Sequence, residues 1–217
     1  MEVFLDAGQI AGLEKLERAA LINSITGFKN ANLIGTIDNI GNSNLAIFNS
    51  VVHLGANPAL MGFIIRPDSV ERHTLKNIEE TGYYTINHVN DEIYNQAHQT
   101  SARYPSEISE FEACKLTPIN KNKFPAPFVK ESNISIGLSF QERIDIKING
   151  TILVIGKINQ LYFPQDAWCA DGFVDIEKAR TIACSGLDSY HLTKRLSRLS
   201  YAKQDKSLSE LELKYKF

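Results

Sequence analysis

Arg72-His73-Thr74, a few residues after Arg66-Pro67, is the cluster in this chain best equipped to hold an anion. It opens a helical segment, where the first-turn N–H groups lack partners and the helix dipole favours negative charge. Arg66 and Arg72 add charge-assisted hydrogen bonds, and Thr74 adds a hydroxyl donor. The chemistry this suits is phosphate binding. Just upstream, residues 45–52 are apolar except for Asn49 and Ser50. Such a strand offers a planar heteroaromatic ligand an apolar surface with an amide and a hydroxyl set into it. Together the two features suggest a phosphorylated, ring-bearing cofactor lying along a barrel wall.

The elements that must position these residues can be read from period and punctuation. Residues 31–37 form a strand, and Asp38-Asn39-Ile40-Gly41-Asn42 turns the chain into a second strand over 45–52, an antiparallel hairpin. His53 and the turn Gly55-Ala56-Asn57-Pro58 lead to another apolar strand over 59–65. A helix over 74–81 is closed by Gly82 as its C-cap. Strands follow over 83–89, 134–140, 143–148 and 151–158, with Asn149-Gly150 the strongest hairpin signal in the chain. Residues 93–103 read as a short helix and a polar loop carrying His98, Gln99, Thr100 and Ser101. Residues 104–130 hold four prolines and no sustained period; they read as an ordered excursion over one barrel end, capped by Phe111, Leu116, Phe124 and Phe128.

Residues 1–22 read as a short strand or arm followed by a helical turn, and 24–29 as a loop. In that loop Lys29 is either a group approaching a cofactor ring or an ordinary solvated lysine. A domain over 1–190 is followed by a polar, locally basic tail over 191–217, either an arm on a partner subunit or a frayed end.

Composition narrows the function. The chain has 217 residues, 43% of them hydrophobic, enough for one generous core. A formal charge of −2 argues against nucleic acid as a partner. Three cysteines, Cys114, Cys169 and Cys184, form no CxxC pair and read as buried thiols. The five histidines show no HExxH or other dense ligand spacing, so no metal site is expected, and His53 reads as a partly buried residue with a local hydrogen bond. No signal-peptide pattern opens the chain and no apolar run reaches membrane-spanning length, so a cytoplasmic protein without a membrane partner is expected. Neither GxGxxG nor a Walker segment occurs, so any nicotinamide dinucleotide would bind transiently.

Several blocks in order, GNSNLAIFNSVVHLGANPALMGFIIRP, RHTLKNIEETGYYTINHV and AHQTSARYP, make residues 31–190 resemble the flavin reductase-like FMN-binding split-barrel family, flavoredoxin-type members included. The resemblance implies a mainly β fold, an antiparallel Greek-key split barrel with short helices, and FMN as cofactor near the interface of a homodimer. It assigns the phosphate to Arg66, Arg72, His73 and Thr74. The pyrimidine edge falls to backbone groups of Asn44, Ala46 and Phe48 and to the side chains of Asn49 and Ser50. Val51, Val52 or a residue of a partner subunit would touch the dimethylbenzene edge, and Lys29 or His53 would favour the reduced ring. His98 and Ser101 would face the flavin and the second substrate, and Tyr190 of the Gly186-Leu187-Asp188-Ser189-Tyr190 block would lie at the rim.

Neither a protein nucleophile nor an obligatory general base is expected, because the flavin carries the chemistry. The expected activity is a flavin reductase or flavoredoxin-like oxidoreductase. Electrons would pass from NAD(P)H or a redox partner, small molecule or protein, through FMN to an acceptor. The rivals are an FMN-dependent oxidase or oxygenase component and a non-catalytic flavin- or haem-binding module.

Overall fold

A computed structural model describes residues 1–67 and 72–217. Two helices, α1 (Ala7–Gly12) and α2 (Lys15–Ile25), precede the short strand β1 (Lys29–Asn30). Then come β2 (Asn32–Ile37), β3 (Ser43–Phe48), β4 (Val51–Ala56), β5 (Ala59–Ile65), α3 (His73–Thr81) and β6 (Tyr83–His88). The excursion contains α4 (Tyr94–Gln99), α5 (Glu110–Ala113), β7 (Pro118–Ile119) and β8 (Phe128–Val129). Two long strands, β9 (Ser135–Ile146) and β10 (Thr151–Tyr162), and the short β11 (Ala183–Ser185) and β12 (Ser189–His191) complete the chain.

The main sheet has seven strands in the order β3-β2-β6-β9-β10-β5-β4, all paired antiparallel. Its two edge strands, β3 and β4, are consecutive in the chain and separated only by Asn49 and Ser50. Opposite edges joined by two residues cannot lie in a flat sheet, so the sheet curls on itself. The Ser50 hydroxyl closes the seam, donating to the Ile64 carbonyl at 3.0 Å and accepting the Ile64 N–H at 3.3 Å. The single strand expected over 45–52 is therefore two strands that diverge at its two polar residues.

Inside the barrel Ile34, Phe63, Tyr84, Ile86, Leu138 and Val154 form the core, and Leu75 and Ile78 of α3 plug one end. That helix turns Thr74, Leu75, Asn77 and Ile78 inward, and Gly82 ends it in the left-handed region at φ 75°. A second core outside β2 and β3 gathers Leu33, Leu45, Val89, Ala97, Phe111 and Leu116. Phe111 and Leu116 are buried in this second core rather than over the barrel end, and Phe124 and Phe128 are buried in a third cluster.

Three readings of the sequence are corrected. Residues 1–22 hold two helices, and α2 runs on through Ile25, into the expected loop. Residues 134–148 do not break at Gln141-Glu142: β9 continues through both, its ladder with β10 shifting register between Ile155 and Gly156. The tail is neither frayed nor detached. Asp175 of the same chain, 3% exposed, accepts from Arg195 and from the Tyr215 hydroxyl. Arg198 pairs with Asp171 at 2.6 Å, and the Lys216 ammonium lies over the Trp168 ring. All three cysteines are free and buried. Among the described residues no helix is long and apolar enough to cross a membrane, and no group of three or more His, Cys, Asp or Glu is placed to hold a metal ion.

Candidate functional site

The mouth of α3 is joined to β3 by a buried polar network. Asn44 Nδ2 donates to Thr74 Oγ1 at 3.1 Å, and Thr36 Oγ1 accepts from Asn77 Nδ2 at 3.1 Å and from Asn44 Nδ2 at 3.4 Å. The Thr74 hydroxyl accepts here and keeps its proton to donate. Arg72 is the N-cap, and among the described residues no side-chain hydrogen bond caps the helix. Its guanidinium turns back to the Pro67 carbonyl at 3.3 Å, holding positive charge beside the helix entry. Arg66 is exposed at the end of β5. Ser43, Asn44, His73, Lys76 and Asn77, together with the carboxylates Asp38 and Glu80, line a pocket of about 260 Å³ beside this mouth. First-turn N–H groups, Arg72, a histidine and a hydroxyl form a donor set suited to a phosphate ester.

From that mouth the free edge of β3 runs toward Asn49. The Leu45 N–H points away from β2 and donates to the Glu110 carboxylate at 2.9 Å. Residues in an antiparallel ladder alternate between partner and free edge. The outward backbone groups therefore belong to Leu45 and Ile47, while Asn44, Ala46 and Phe48 spend theirs on β2. This corrects the expected backbone assignment by one residue; periodicity cannot reveal which parity faces the neighbouring strand. Burial raises the Glu110 carboxyl above its ordinary range, while the Leu45 N–H, its own N–H and the charge of His73 pull it down.

At the far end of β3 a small sheet, β1-β11-β12, meets the seam. Asn49 Nδ2 donates to the Gly186 carbonyl at 2.9 Å. Lys29 pairs with Cys184, and Cys184 pairs with Tyr190. The Lys29 ammonium closes the end of α2, donating to the Asn23 carbonyl at 2.8 Å and to Thr26 Oγ1 at 3.1 Å. Tyr190 is half-buried against the second core, as is Ile47, and shares a 2.9 Å hydrogen bond with His98 Nδ1. Ser101 is exposed just beyond α4.

The structure thus gathers the sequence-nominated residues into two groups. Asn44, Arg72, His73 and Thr74 stand at one end of β3, and Lys29, Asn49, His98 and Tyr190 at the other. Asn44 and Asn49 are five positions apart along extended chain, roughly 16 Å, a span comparable with an extended flavin nucleotide.

Four nominated residues fall elsewhere. Val51 is buried in the barrel core, and the Ser50 hydroxyl is engaged by β5. His53 is exposed on β4 opposite Met61, not partly buried as expected, because β4 is an edge strand. Phe48 turns into the barrel, edge-on to Phe63 at 5.0 Å. Sequence reasoning missed Thr36, Leu45, Ile47, Asn77 and Glu110. Asn77 lies one helical turn after Thr74 and was findable; Glu110 sits in a stretch with no period to give it away.

Comparison with known proteins agrees with this architecture. The family model for the flavin reductase like domain matches residues 28–176. A crystal structure of a candidate flavin reductase with split barrel domain from Shewanella frigidimarina NCIMB 400 superposes with a TM-score of 0.89 at 53% identity, covering 93% of this chain and 100% of that one. Nitrilotriacetate monooxygenase component B from Bacillus cereus shares the fold, with a TM-score of 0.79, 20% identity and coverage of 90% and 97%. So does flavoredoxin from Desulfovibrio vulgaris (Miyazaki F), with a TM-score of 0.68, 20% identity and coverage of 83% and 92%. With its split barrel and with a match over most of its length, the chain belongs to the flavin reductase-like family.

Proposed function

We propose that the protein binds FMN along the free edge of β3 and works as a flavin reductase or flavoredoxin-like oxidoreductase, drawing electrons from NAD(P)H or a redox partner. One observation carries this reading. The cation-flanked mouth of α3 is locked by Asn44 and Thr74 to the edge strand that leads on to Asn49.

Each residue then has a task set by its chemistry. First-turn N–H groups of α3, with Arg66, Arg72, His73 and Thr74, would hold the phosphate. The free-edge backbone of β3 at Ile47 would address the polar edge of the ring system. When bound, the flavin supplies two-electron chemistry, as a hydride or as single electrons. A Rossmann unit is not needed for a donor that visits only the exposed ring face.

A homodimer is part of the proposal. Val52 and Leu54 of β4 are 46% and 42% exposed and flank His53 on an edge strand. An apolar edge of this kind supports pairing with a second copy, close to the seam at Asn49-Ser50.

The test is spectroscopic. The purified protein, incubated with FMN and desalted, should retain flavin absorption that bleaches anaerobically with NADH or NADPH. A protein that passes through colourless has no flavin function of this kind.

A further inference from the structure

His98 of α4 and Tyr190 of β12 are 92 residues apart, yet His98 Nδ1 and the Tyr190 hydroxyl lie 2.9 Å from each other. Their rings meet edge-on at 5.8 Å, and Tyr94 adds a second ring against Tyr190 at 5.7 Å. Tyr190 is half-buried against the second core, which also takes Ile47 of β3, whereas His98 is exposed. One member of the pair thus packs on the core that underlies β3 and the other faces water.

Resting on the reading that a flavin lies along β3, we infer that Tyr190 is the proton donor to a small organic two-electron acceptor and that His98 resupplies it from solvent. An acceptor that takes a hydride at one atom becomes basic at another, an oxygen or a nitrogen, and needs one proton to become a neutral product. The Tyr190 O–H bond breaks and the new O–H or N–H bond forms on the acceptor. The phenolate takes the Nδ1 proton of His98 while Nε2, on the exposed side, takes one from water. Two electrons and one proton arrive as hydride, the second proton comes from water, and the tyrosine is restored. The substrate class follows: quinone-, nitro- or flavin-like acceptors benefit from the pair, whereas a one-electron acceptor does not.

The surroundings suit this role. Burial foremost, then the neighbouring Cys184 and Asp188, push the Tyr190 phenol up to about 12, so it stays protonated until the acceptor becomes basic. Lys29, on the strand beyond Cys184, is the nearby cation of the small sheet. His98 sits in the last turn of α4, on the water-facing side of the pair.

The holoprotein, Tyr190→Phe and His98→Gln should be compared on menadione, which takes two electrons and protons, and on ferricyanide, which takes one electron and no proton. We expect the menadione-to-ferricyanide rate ratio to fall at least tenfold in Tyr190→Phe. In His98→Gln it should fall less. In flavin-free protein the His98 imidazole NMR titration should move in Tyr190→Phe. An unchanged ratio in Tyr190→Phe overturns the assignment whatever the absolute rates, as does an unmoved His98 titration. A wild-type protein that takes up no flavin overturns the underlying reading instead.

Discussion

The side-chain amide of Asn44 donates to the Thr74 hydroxyl at 3.1 Å, and both residues are more than nine-tenths buried. This bond ties an edge strand to a helix mouth 30 residues further along the chain. It makes the proposed phosphate end and ring end parts of one rigid wall. Thr74→Ala or Arg66→Ala should weaken FMN binding by about 1–3 kcal/mol, the value of a charge-assisted hydrogen bond. Flavin fluorescence titration reads this directly, and unaltered curves for both variants would move the phosphate away from α3.

Gly156 faces Tyr84 across the barrel interior. A Cβ built on Gly156 would lie 2.2 Å from the Tyr84 hydroxyl oxygen and 2.8 Å from its ring carbon Cζ. Gly156→Ala should therefore cost about 2–3 kcal/mol by overpacking, measured by urea denaturation. The Tyr84 hydroxyl is buried without a hydrogen-bond partner among the described residues. Tyr84→Phe alone should thus be neutral or stabilising by about 1 kcal/mol, and it should relieve part of the Gly156→Ala defect. A destabilised Tyr84→Phe protein would reveal a partner for that hydroxyl.

His88 carries a pH signature. Burial lowers its imidazole from the usual 6.5 to about 4, and its Nδ1 lies 3.1 Å from Thr181 Oγ1. A folded-state value below the unfolded one means that the unfolded chain binds the proton more readily. The contribution is complete above about pH 6.5 and declines as pH falls toward 4. Thermal melts should show Tm dropping across that window, with a shallower slope in His88→Gln. Parallel slopes would exclude His88 as the cause.

Asp175 anchors the tail. Burial works to raise its carboxyl, but hydrogen bonds from Arg195, Tyr215 and the Lys178 N–H prevail and hold it below the ordinary carboxylate range. Its contribution is therefore present at neutral pH and lost only as pH falls below about 4. At neutral pH Asp175→Asn should loosen residues 191–217 and speed tryptic cleavage at Lys194, Arg195 and Arg198 at least several-fold. Cleavage at the wild-type rate would mean that the tail is held by other contacts.

Local features of the site were legible because their signals are local. The helix at 73–81 announces itself through its inward face and its terminal Gly82, and Asn149-Gly150 marks the hairpin between β9 and β10. The two polar residues at 49 and 50 stood out in an apolar run, but their meaning did not. They read as ligand donors, whereas the fold uses Ser50 to close the barrel seam and Asn49 to hold the Gly186 turn.

Composition and spacing by themselves determined that this chain is a mainly β domain with a basic helix entry beside an apolar strand, and the ordered sequence blocks pointed to the flavin reductase-like family. Only the tertiary structure decided which parity of β3 faces outward, that Glu110 already occupies the Leu45 N–H, and that His98 and Tyr190 meet. These facts depend on strand register and on contacts between residues tens of positions apart. A pattern with a period of two or 3.6 residues carries neither kind of information.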